Sequence, residues 1–143
     1  MDVVRRLKEI QYLEFSSKSE SSSGWSGLGK GRVDTEEQEA SLIYKEKGVW
    51  ISEAGKEISF KNTYRWTFEE SQIRLEHLRF GEDQPVHLFY LKEESDGLWM
   101  SVCPHVCDRD LYSAIMKLEE NCILLSWRIK GPEKDERIRY KYY

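Results

Sequence analysis

Residues 103–112 read Cys-Pro-His-Val-Cys-Asp-Arg-Asp-Leu-Tyr, a decad that holds two of the three cysteines and one of the three histidines of the chain. In an extended segment Cys103, His105 and Cys107 fall on one side, because successive side chains of a strand alternate. Two thiolates and an imidazole, with Asp110 or His87 as a fourth ligand, are a donor set suited to zinc. The spacing fits no common zinc module, which pairs two short Cys/His motifs across a longer gap. The same residues offer a second chemistry, with Cys107 as nucleophile and His105 as base. Side chains two apart on a strand rarely meet, so that pair needs help from a neighbouring strand such as the one carrying His87. Asp108 and Asp110 resemble the start of a calcium loop but lack its glycine and its distal glutamate.

Other polar residues sit among apolar ones. His87 shares its alternation with Phe89 and Leu91 and is expected to point inward, where an imidazole requires a hydrogen-bonding partner. His77 and Arg79 share theirs with Ile73 and Leu75, and an inward Arg79 would give an anion a fixed fork of donors. A register shift would instead turn both to solvent. The glycine-rich stretch 24–31 matches neither the dinucleotide fingerprint nor the lysine-terminated phosphate loop. With Gly27, Gly29 and Gly31 on one alternation, it reads as a strand that bends sharply or lets another backbone come close.

The elements that must position these residues follow from periodicity. Val3, Leu7 and Ile10 lie near helical spacing, which predicts a short amphipathic helix within 1–15. Residues 16–23 contain six serines and no apolar side chain, the composition of a connector. From 24 to 143 alternation dominates. Ile58, Phe60, Tyr64, Trp66 and Phe68 oppose Ser59, Lys61, Thr63, Arg65 and Thr67, and the segment 123–130 repeats the pattern. Further strands are expected at 25–33, 39–46, 49–53, 73–79, 86–92, 98–103, 111–118 and 137–142, about ten in all. The separators are short and turn-like, among them Glu46-Lys47-Gly48, Glu53-Ala54-Gly55-Lys56 and Ser95-Asp96-Gly97. Short connections join antiparallel neighbours. An all-β, up-and-down antiparallel sheet of that size escapes exposed edges by closing into a barrel, and such a barrel has room for a small ligand.

Composition excludes several classes. A chain of 143 residues fits one domain. Its net charge of −4 argues against a protein that neutralises nucleic-acid phosphates. A mean hydropathy of −0.69 and the lack of a long apolar run argue against a membrane protein or an exported one. The expected setting is the cytoplasm, where three cysteines remain reduced.

The segments 44–48, 64–66, 85–89, 104–112 and 127–135 resemble, in order, the successive motifs of an uncharacterised bacterial lipocalin-like domain of unknown function, the domain of unknown function 6314 family. The likeness covers about 24–143, and the last two motifs are the specific ones. It implies a small lipocalin-like barrel and supplies no reaction. The residues name no cofactor and no oligomeric state. The resulting expectation is a small-molecule binding protein whose cavity walls are Tyr64, Trp66, Phe89, Tyr112 and Trp127, with His87, His105 and Arg79 orienting a polar end of the ligand. The alternatives are a metal-assisted or cysteine-dependent enzyme centred on His105 and Cys107, with Cys103 and Asp110 as further ligands, and an assembly module whose barrel is filled by its own side chains.

Overall fold

The computed structural model describes residues 2–20, 26–102, 105–107 and 109–143, with the backbone alone for 105–107. One short helix, α1 (Val3–Lys8), precedes β1 (Tyr12–Ser19), β2 (Gly27–Glu37), β3 (Ser41–Ser52), β4 (Glu57–Phe68), β5 (Ile73–His77) and β6 (Val86–Ser95). The chain continues through β7 (Leu98–Ser101), β8 (His105–Cys107), β9 (Asp110–Leu118), β10 (Ile123–Lys130) and β11 (Asp135–Tyr142). All described pairings are antiparallel. The sheet closes on itself, since β11 pairs with β1 and β10 pairs with both β9 and β11. β7 lies along the upper half of β9 and β8 along its first residues, so the two form one stave of a ten-strand closed barrel. The expected all-β barrel is present, and a lipocalin-like arrangement fits it.

Three expectations need correction. The helix ends at Lys8 rather than reaching residue 15, because Leu13 and Phe15 follow the two-residue alternation of β1 and point into the barrel. Ser16 to Ser19, read as a connector, belong to the same strand. Ser17 accepts a hydrogen bond from the Trp50 indole at 3.2 Å, a contact that a larger side chain would obstruct. The segments 39–46 and 49–53 are one strand, β3, and Glu46-Lys47-Gly48 is no turn. Gly48 faces Gly31 across the β2–β3 pair, and a Cβ on either would collide with backbone of the other strand, so this is the close approach that the glycines of β2 suggested. Gly55 and Gly97, at expected turns, hold φ of 85° and 78°, a region that glycine enters without steric cost.

The helix closes one end of the barrel. Asp2 caps it by accepting the Arg5 amide at 3.2 Å. Arg6 donates to the carbonyls of Glu119 and Cys122 in the β9–β10 turn, and Tyr44 donates to the Leu7 carbonyl at 2.6 Å. Leu7 is fully buried and joins Leu42, Trp66, Leu91, Met116, Ile123 and Tyr142 in the core. Burying Leu7 contributes roughly 1.5–3 kcal/mol and, with the hydrogen bonds of Arg6 and Tyr44, holds so short a helix in place.

Candidate functional site

The interior of the barrel differs along its axis. Near the helix most inward side chains are sealed, Phe68 and Trp99 being only partly buried. Trp66, Leu42, Leu91, Met116 and Ile123 are each 1% exposed or less. Toward the opposite end the inward rows continue through Phe15, Phe60, Tyr112, Trp127 and Ile138, which pack against the core yet are only partly buried. The far end therefore leaves ring surface within reach of solvent.

Between the two halves lies a buried polar cluster. Glu46 is 2% exposed, on the inward alternation of β3 after Leu42 and Tyr44. Its Oε2 accepts a hydrogen bond from the Tyr142 hydroxyl at 2.7 Å, and its Oε1 has no hydrogen-bond partner among the described residues. Burial pushes the Glu46 carboxyl up to about 8, although the Tyr142 hydrogen bond pulls the other way, so the group is neutral at pH 7 for the most part. Tyr44, Tyr64, Tyr140 and Tyr142 are all raised, by burial first and by the nearby Glu46 second for Tyr44, Tyr64 and Tyr142; for Tyr140 the neighbouring Tyr64 outranks Glu46. Tyr140 and Tyr142 stack at 5.1 Å, and Tyr44 meets both Tyr142 and Trp66 edge to face. The indole nitrogens of Trp66 and Trp127 are likewise buried without a hydrogen-bond partner among the described residues. Unpaired buried donors and acceptors are rare in native proteins, and with the Trp99 indole four of them belong to inward residues of this barrel.

The expected wall residues are placed as follows. Tyr64, Trp66 and Phe89 face inward and are buried, while Tyr112 and Trp127 face inward at the far end; Phe89 and Trp127 meet edge to face at 6.0 Å. Two of the orienting residues, His87 and Arg79, are not where alternation placed them. A register shift in the β5–β6 pair sets Phe89 opposite Leu75 but His87 opposite Glu76. Glu76 lies on the outer alternation, ion-paired to Arg65 at 3.0 Å, so the shift turns His87 outward, where its ring lies 4.6 Å from Tyr90. Arg79 is exposed because β5 ends at His77, and its guanidinium sits over the Phe80 ring. His77 takes the inward place instead, stacked on Tyr64 at 4.8 Å. Burial, and then the charge of Arg79, lower its pKa.

The decad 103–112 is described only in part. Cys103, Pro104 and Asp108 lie outside the described residues, as do the side chains of His105 and Cys107, whose backbone pairs with Tyr112 and Asp110. Asp110 is half-buried and lies 3.8 Å from the Lys134 ammonium. Among the described residues no three His, Cys, Asp or Glu side chains gather as metal ligands would.

Sequence reasoning passed over Glu46, Tyr140 and Tyr142 as site residues. Their signal was present in the alternation of Leu42, Tyr44 and Glu46, and of Ile138, Tyr140 and Tyr142. The adjoining Lys47-Gly48 hid the first of these by resembling a turn.

No curated protein and no solved structure matches the chain. A family model described as Family of unknown function (DUF6314) matches residues 14–143, from within β1 to the last residue. That span covers the barrel from within its first strand onward, and the chain belongs to the family of unknown function DUF6314.

Proposed function

We propose that the protein binds a small, partly apolar molecule in the half of the barrel remote from the helix. The observation that carries this reading is the set of inward side chains left partly exposed at that end, Phe15, Phe60, Tyr112, Trp127 and Ile138. Apolar walls with a few polar groups are the common form of a small-molecule site. Here the walls are Phe15, Phe60, Tyr112, Trp127 and Ile138, and His77 with the Glu46–tyrosine cluster supplies the polar floor. The net charge of −4 supports a small molecule rather than a nucleic acid as partner. Cys122 is free, in keeping with a reducing setting such as the cytoplasm.

Native mass spectrometry of protein purified from its own host tests this. Wild type should carry an adduct of small-molecule mass. Asn62→Trp, which places a bulky ring at an inward position opposite Glu46, should lose it. Ile51→Trp, which adds the same bulk at an exposed position on the outer face of β3, should keep it. Wild type without an adduct, together with no binding of the neutral fluorophore N-phenylnaphthylamine by the purified protein, would favour a barrel filled by its own side chains.

A further inference from the structure

The outer wall formed by β9, β10 and β11 carries a second concave feature, separate from the lumen. Its floor is made of small side chains, Ser113 and Ser126. One flank is Met100 and Ile115, which are 37% and 45% exposed, and the other is Arg137 and Arg139. Serines between larger neighbours turn a sheet surface into a groove, here of about 680 Å³, within the range of small-molecule sites.

The charges on this wall are placed against stability. Arg137 stands directly opposite Arg128 on one side and Lys18 on the other, so three cations occupy one row across three strands. Like charges directly opposite each other in a sheet repel. Arg128 has Asp135 at 3.0 Å and Lys18 has Glu53 at 3.9 Å, but Arg137 and Arg139 have no carboxylate within ion-pair distance among the described residues. Asp135 acts on Arg137 from beyond that distance, and Glu20 and Glu53 share a neighbouring depression with both arginines, but none of these carboxylates forms an ion pair with either guanidinium group.

We infer that the groove binds a small amphipathic organic anion, its carboxylate, sulfonate or phosphate held by Arg137 and Arg139 and its apolar body laid over Ser126 against Ile115 and Met100. Two guanidinium forks can meet an anion's oxygens in bidentate geometry. The concavity favours a small molecule over a membrane surface, which would require a protruding patch to penetrate headgroups. Exposed apolar side chains opposite the arginines supply the second half of the recognition and set this site apart from a simple anion site.

Titration with the anionic fluorophore anilinonaphthalenesulfonate tests the inference, with neutral N-phenylnaphthylamine as the contrasting probe. Arg137→Gln combined with Arg139→Gln should weaken the anionic probe at least tenfold and leave the neutral probe unchanged. Ser126→Trp, which fills the floor, should do the same from an exposed position that folding tolerates. Raising the ionic strength should weaken the anionic probe alone. The inference is overturned if the double arginine variant binds the anionic probe as wild type does, or if Asn62→Trp in the lumen abolishes that binding. Equal competition by inorganic phosphate and by the amphipathic probe would remove the role given to Ile115 and Met100.

Discussion

The two halves of one barrel are built from the same strands and the same alternation, yet they are packed differently. At the helix end Leu42, Trp66, Leu91, Met116 and Ile123 are fully covered and α1 adds Leu7 as a stopper, while Phe68 and Trp99 there are only partly buried. At the far end no helix is docked among the described residues, and Phe15, Phe60, Tyr112, Trp127 and Ile138 keep part of their surface uncovered. The first half has the more fully covered core. The second leaves apolar surface in reach of solvent, which a ligand would cover.

That contrast can be broken or sharpened by substitution. The largest effect belongs to the sealed half: Leu125→Ala, at a side chain 2% exposed, should cost roughly 2–5 kcal/mol in urea unfolding. Ile138→Val at the far end removes a single methyl from a half-buried residue and should cost about 0.5–1 kcal/mol, toward the low end for such a change. Equal cost for the methyl lost there and for Ile123→Val in the sealed half would erase the distinction between them.

The boundary between the halves should show in the pH dependence. Glu46 holds its proton in the folded chain up to about 8, whereas in the unfolded chain it releases it near its ordinary value of 4.5. Between those values the folded state binds more protons than the unfolded state, so stability falls as pH rises, by about 1.4 kcal/mol per pH unit at most. The contribution is fully present below 4.5 and is lost by about 8. Glu46→Gln cannot ionise and should flatten this slope, leaving the variant the more stable protein at pH 8. A slope unchanged in Glu46→Gln would mean that another group carries it. Tyr142→Phe should act more weakly, costing about 0.5–1.5 kcal/mol for the lost hydrogen bond and moving the Glu46 titration to still higher pH.

Much of the barrel was legible because alternation is a property of composition. The rows of β4 and β10 appear in the sequence as they stand in the structure, and Gly55 and Gly97 mark turns that require their backbone freedom. What could not be read depends on pairing between distant segments. The shift between Leu75 and Glu76 leaves no mark in local composition, yet it alone sends His87 outward and breaks the alternation that joined it to Phe89. Leu13 satisfies helical and strand spacing equally, and only the pairing of β1 with both β2 and β11 decides between them. Of the walls expected from the sequence, Tyr112 and Trp127 stand at the partly exposed end, whereas Tyr64, Trp66 and Phe89 are sealed in the core, since aromatic content announces burial but not depth along the barrel. The polar floor of the candidate site was missed because a glutamate before Lys-Gly resembles a turn until the neighbouring strand is known to carry glycine at the matching place.

The central claim is that a small apolar molecule enters the barrel from the end remote from α1. Proton–nitrogen correlation spectra, recorded while neutral N-phenylnaphthylamine is added, test this most directly through the tryptophan indole signals. The account predicts that the Trp127 indole signal moves as the probe binds while that of Trp66, sealed beside Tyr44, shifts far less. Saturating probe that leaves Trp127 in place, or that moves both indoles alike, would contradict it.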